Sequence, residues 1–257
     1  MRGVTKERDK EVQGKINRRR RWLSLIWAIL GLGVVIIIVL SPKASGTAKG
    51  GDIRDAIAIV YNEASAKKYV VGTLAQKNKD VGYVLTVAGS CIANNAEGGS
   101  VKVWLPKMGS EWLNGTVLKI QEVTGGTMDN RLSPYIALIE VQLGGVKNKP
   151  VPVYNGSLES IRGGNAEIWR IDFDTGRTEL YTSGKVTTVT LQKLHLTLDA
   201  ELKAHIDGAP VVLKSKKDKY TLLGILPELA PGVTDSSGLK EFFGFDDFKY
   251  LMSGITK

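Results

Sequence analysis

The sequence predicts an all-β domain, a barrel or a sandwich, preceded by a single transmembrane helix and closed by a C-terminal helix. Three observations carry this reading. From residue 69 onward, short apolar runs of period two are broken by Gly, Asn, Asp and Lys, the pattern of half-buried strands joined by turns. No helical period alternates with those runs, which argues against a parallel α/β fold. Residues 22–40 contain no charged side chain.

Residues 1–21 form a basic tail with nine Lys/Arg against three Asp/Glu, a net charge of +6. The next 19 residues, WLSLIWAILGLGVVIIIVL, span about 28 Å as a helix, close to the hydrocarbon thickness of a bilayer. Trp22 and Trp27 lie towards the basic end, where indole rings favour the interface. Arg18–Arg21 before the span predict a cytoplasmic N-terminus and an extracytoplasmic C-terminal domain in a single-pass arrangement. The following Ser41-Pro42-Lys43-Ala44-Ser45-Gly46 is a poor cleavage site, so an uncleaved anchor is expected rather than a removed leader. Residues 41–51, SPKASGTAKGG, read as a flexible linker.

Residues 52–257 form the globular part. Asp52 is a plausible N-cap for a short amphipathic helix over 52–66, with Ile53, Ala56, Ile57, Ile59 and Val60 at helix-like spacing. Strands follow at 69–75, 82–88, 101–105, 115–121, 135–141, 166–172, 177–182, 185–191, 194–198, 210–214 and 220–226. Residues 238–252 place Leu239, Phe242, Phe243, Phe245, Phe248 and Leu251 on a closing helix.

Composition narrows the function. Hydrophobic content of 43% and charged content of 24% exclude a wholly disordered chain. One cysteine, Cys91, excludes a disulfide scaffold. Cys91, His195 and His205 are too few soft ligands for structural zinc, and phosphate-loop, dinucleotide and HExxH motifs are absent, so no metal or cofactor is expected. Of the net charge of +9, only +3 lies outside the tail, so no nucleic-acid partner is expected. The expected partners are the membrane, through residues 22–40, and a protein or peptide.

Three segments in order resemble trypsin-like serine peptidases of the chymotrypsin fold, most closely the HtrA/Deg branch. Gly72-Thr73-Leu74-Ala75 with Gly82-Tyr83-Val84-Leu85-Thr86-Val87-Ala88 is similar to the family stretch leading to "GYILTNAHVV". Tyr135-Ile136-Ala137-Leu138-Ile139-Glu140-Val141 is similar to "DLALLKV". Leu198-Asp199-Ala200, Ile206-Asp207-Gly208-Ala209-Pro210-Val211-Val212 and Leu222-Leu223-Gly224-Ile225 resemble "TDA…GNSGGPLV…VIGI". The resemblance covers roughly residues 55–250 and implies two six-stranded antiparallel β-barrels.

It also implies that the catalytic triad is gone. The family's general-base His falls on Gly89 (or Ser90, with one residue of slip), the orienting Asp on Tyr135 and the nucleophilic Ser on Asp207. Serine attacks a carbonyl only while an imidazole takes its proton and a carboxylate fixes that imidazole's tautomer. Gly89 has no side chain, Tyr135 is neutral near pH 7, and Asp207 is a poor acyl acceptor. The former oxyanion-hole slots are His205 and Asp207, where a carboxylate would oppose a developing oxyanion. Losing the triad costs on the order of a million-fold in rate. No catalytic residue is therefore expected, and a membrane-anchored pseudoprotease that acts as a peptide- or protein-binding or structural module is the leading reading. Two alternatives stand beside it: an active peptidase with Cys91 as nucleophile and His205 as base, and an unrelated all-β interaction domain. The plain expectation for Cys91 is a small buried hydrophobe, and for His195 a solvent-facing strand position.

Overall fold

The computed structural model describes residues 51–92, 97–122, 135–157, 159–189, 193–198, 206–215, 219–228, 239–253 and 255. The basic tail, the 22–40 segment and nearly all of the linker lie outside these residues. No helix among the described residues is long and apolar enough to cross a membrane. The described chain is mostly β, as expected, with twelve strands.

The first six strands are β1 (Ile57–Tyr61), β2 (Tyr69–Asn78), β3 (Val81–Val87), β4 (Ser100–Trp104), β5 (Leu113–Glu122) and β6 (Tyr135–Gln142). They pair in the order β1-β2-β3-β6-β5-β4, and β4 returns to β1 to close an antiparallel barrel. Closure leaves no strand edge open, and it needs local bending. Register shifts at Leu74/Gln76 and Val117/Lys119 supply bends in β2 and β5. The interior is packed with Val, Ile and Leu, among them Val60, Leu74, Leu85, Val103 and Ile139, each fully buried.

The helix expected over 52–66 is a correction. Only α1 (Ile53–Ala56) is helical, capped by the Asp52 side chain accepting from the Arg54 N–H. Residues 57–61 form β1 instead, paired on both sides with β2 and β4. Three of the five residues in its run, Ile-Ala-Ile-Val-Tyr, are β-branched and all but Tyr61 are buried, so neither face alternates with polar residues and the helical period was accidental.

The second six strands are β7 (Asn165–Ile171), β8 (Thr178–Val189), β9 (Lys193–Leu198), β10 (Pro210–Ser215), β11 (Lys219–Ile225) and β12 (Leu239–Gly244). Their ladder runs β10-β11-β12-β9-β8-β7, and β7 pairs back to β10. Two expectations change here. The runs 177–182 and 185–191 belong to one strand, β8, whose ladders shift at Ile168/Trp169 and Val186/Thr188, so Gly184 lies within a bent strand rather than a turn. The closing helix over 238–252 is β12 followed by α2 (Phe245–Met252), broken at Gly244, the helix N-cap. Phe242, Phe245, Phe248 and Leu251 are buried, but from two elements rather than one face.

The connection between the two sheets is bonded to both. Val151 N–H donates to the Leu74 carbonyl of β2 at 2.9 Å. Leu222 of β11 donates to Pro152 and accepts from Tyr154, each at 2.9 Å. This segment covers part of β11 that β12 leaves unpaired, since the two strands meet only at Gly224 and Ile225.

Candidate functional site

Five segments converge beside β2: the β1–β2 loop, the turn after β3, the start of β6, the turn before β10 and the chain after β11. The turn before β10 is a tight one. Ala209 N–H donates to the Ile206 carbonyl at 2.9 Å, with Gly208 at φ +79 in its third position. The turn is pressed against the first barrel. Val71 N–H donates to the Asp207 carbonyl at 3.0 Å, and a Cβ on Gly208 would stand 2.0 Å from the Val71 carbonyl oxygen. Only glycine meets both demands, on φ and on space.

That turn sets the Asp207 carboxylate in a closed environment, 2% exposed. Lys67, from the β1–β2 loop, reaches it with Nζ against Oδ2. The same Nζ lies 3.3 Å from Oε1 of Glu228, on the chain leaving β11. Glu228 in turn accepts from the Ser90 N–H and the Ser90 hydroxyl, both at 2.5 Å. Burial opposes the charge on Lys67. The Asp207 hydrogen bond and the two carboxylate charges outweigh it and raise the lysine above its ordinary value. One ammonium thus serves two carboxylates, and Ser90 supplies the neutral donors that complete Glu228.

The loops that carry these groups are fixed by their own bonds. Asn62 Nδ2 donates to the Cys91 carbonyl at 2.7 Å, and the Ser65 hydroxyl donates to the Ser90 carbonyl. Ile92 N–H donates to the Gly89 carbonyl at 3.0 Å, turning the chain after β3. Gly89 itself faces Glu228: a Cβ there would stand 1.4 Å from Oε2. The space of any side chain at position 89 is taken by the Glu228 carboxylate. Ala88 N–H donates to the Tyr135 carbonyl at 3.0 Å, which brings the start of β6 alongside.

The chain matches no family model and no curated protein.

The three positions named from sequence are therefore gathered, but unequally. Gly89 and Asp207 are linked through Glu228 and Lys67. Tyr135 joins through its backbone, and its side chain is partly exposed at 38%. His205 lies outside the described residues. His195 is on β9, opposite Thr188 and Glu241. Cys91 is 2% exposed, and its thiol points at the Lys68 carbonyl at 3.5 Å. Burial pushes that thiol up to about 12, and the Glu228 charge adds to the shift. At neutral pH it is a protonated core group rather than a thiolate.

Lys67, Ser90 as a donor, and Glu228 escaped the sequence reading. None belongs to a motif, and the pairs are separated by 138 to 161 residues. The one available signal was negative: a glycine where a large side chain is expected leaves a volume for something else to fill. Chemically the arrangement is a closed charge cluster. Its carboxylates are engaged by Lys67 and Ser90, and among the described residues it holds no neutral base beside a hydroxyl or thiol nucleophile.

Proposed function

We propose that this chain is a membrane-anchored, extracytoplasmic homologue of trypsin-like serine peptidases that no longer hydrolyses peptides and acts as a protein- or peptide-binding or structural module. In this reading residues 1–21 are cytoplasmic, 22–40 cross the bilayer, 41–51 tether, and 52–257 form a two-barrel domain. The observation that carries it is the Glu228 carboxylate standing in the side-chain space of Gly89, with Lys67 joining it to Asp207. A site that had merely lost its base would hold a void or water. This one is refilled with a charge network that binds its own parts together.

The closed ladders bear on how a partner is held. Each described strand has two ladder neighbours, and the connecting segment adds cover along β11. Strand addition to a barrel edge is thereby disfavoured, and the loops around the cluster are left as the recognition surface. The high thiol pKa of Cys91 weighs against the Cys91–His205 peptidase.

The test is direct. The purified protein is treated with a fluorophosphonate probe, an iodoacetamide probe and casein. No labelling under native conditions and intact casein are expected. Labelling or cleavage that disappears in Cys91→Ala would overturn the reading. Photo-crosslinking in native membranes, with probes placed in the β1–β2 loop, is expected to trap a protein partner.

A further inference from the structure

Lys67, Asp207 and Glu228 come from three separate segments and meet at one nitrogen. Lys67 Nζ touches Asp207 Oδ2 and lies 3.3 Å from Glu228 Oε1. Asp207 is 2% exposed and the Glu228 side chain 11%. We propose that Lys67 and Asp207 are joined by an intramolecular isopeptide bond, with Glu228 as the group that carries the proton.

The step balances without an oxidant or cofactor. Glu228 takes one proton from the Lys67 ammonium. The freed lone pair attacks Asp207 Cγ, and an N–C bond forms. Glu228 returns its proton to one Asp207 oxygen, the attached nitrogen gives up a second, and the C–O bond breaks to release water. One of the three ammonium protons stays on the amide nitrogen. The ammonium and Asp207 carboxylate charges cancel, and Glu228 ends as it began.

Three features favour the bond here. The reacting groups are already in contact, so most of the entropy of bringing them together is lost in folding rather than in the reaction. Asp207 is withdrawn from water, where its charge carries a desolvation cost that a neutral amide does not, while the Lys67 side chain is 32% exposed. Glu228 is positioned by Ser90 N–H and Ser90 Oγ, so it keeps its place when the ammonium is consumed. Hydrogen bonds to Lys67 alone would not give that independence. The link would fasten the β1–β2 loop to the turn before β10 across 140 residues. It would act on the unfolded chain as a disulfide does, in a protein with a single cysteine.

The experiment is intact-mass spectrometry of the full chain purified from membranes, followed by tryptic mapping. The expected protein is lighter than its sequence by one water, with a branched peptide joining the segments that hold Lys67 and Asp207. Glu228→Gln and Lys67→Arg are expected to show the full sequence mass and no branched peptide. Asp207-Gly208 can also lose water by closing a succinimide on its own backbone. That ring opens in hydroxylamine and leaves the two peptides separate, whereas the amide survives. Folded wild-type protein at full sequence mass, or a water loss that hydroxylamine reverses with no branched peptide, overturns the proposal.

Discussion

A methyl group on Gly89 and the carboxylate of Glu228 exclude one another, because the Cβ would stand 1.4 Å from Oε2 and 2.5 Å from Cδ. Gly89→Ala is therefore expected to cost about 1–3 kcal/mol by overpacking. Glu228→Ala removes the obstacle along with an acceptor for Ser90 and Lys67, so it destabilises in its own right. In the double variant the Gly89→Ala cost is expected to vanish, a coupling of about 1–3 kcal/mol in a double-mutant cycle read by urea unfolding. Equal costs of Gly89→Ala in both backgrounds would separate the two residues.

The cluster that this pair belongs to was only half legible in the sequence. Short apolar runs bounded by Gly, Asn, Asp and Lys located β2, β3, β6, β7, β10 and β11; most of these strands are buried on both faces, so run length and the flanking turn residues mark them rather than a polar alternation. Gly89, Tyr135 and Asp207 were singled out by the resemblance to trypsin-like peptidases rather than by periodicity, and they lie on segments that converge. The misread elements have a common cause. In 53–61, the short Asp52-capped helix runs straight into β1, so one apolar run covers a helix and a strand. In 239–252, a strand runs straight into a helix, and phenylalanines on both mimic one helical stripe. Lys67 and Glu228 were invisible for a different reason. Their significance lies in a long-range meeting 161 residues apart, which no local pattern encodes.

Lys67 holds two buried carboxylates, so its removal leaves both uncompensated. Lys67→Met is expected to destabilise the domain by about 1–3 kcal/mol, less than the cost of breaking a fully buried pair from one side because the lysine side chain is 32% exposed. Adding Asp207→Asn and Glu228→Gln in the same chain removes the stranded charges and is expected to recover their share of that loss, but not the share owed to the proposed Lys67–Asp207 link. Chemical denaturation of the three variants checks it. A small effect of Lys67→Met alone would place the lysine on the surface rather than in the cluster.

Gly208 is constrained twice, and the two constraints can be measured apart. Gly163 has a similar φ of +75 but nothing within 4 Å of its would-be Cβ. Gly163→Ala is expected to cost only the conformational penalty, about 1–2 kcal/mol. Gly208→Ala adds a collision with the Val71 carbonyl at 2.0 Å, for an expected total of about 3–5 kcal/mol. Comparable midpoints for the two variants in urea would show that the turn before β10 does not press on β2.

Cys91 gives the pH dependence a definite sign. Its folded value, about 12, lies above the ordinary thiol value of 9.0 that the unfolded chain adopts. The unfolded state therefore loses its proton first as pH rises. The contribution is fully present below pH 9, shrinks between 9 and about 12, and does so with a limiting slope of about 1.4 kcal/mol per pH unit. Cys91→Ala shifts the whole stability curve by leaving a small cavity, but it also removes this alkaline slope, and the slope is the readout. The same burial predicts that iodoacetamide at pH 8 alkylates Cys91 only after denaturant is added. Rapid alkylation of the folded protein, or an unchanged alkaline slope in Cys91→Ala, would mean that the thiol is an exposed and ionisable group, as a nucleophile must be.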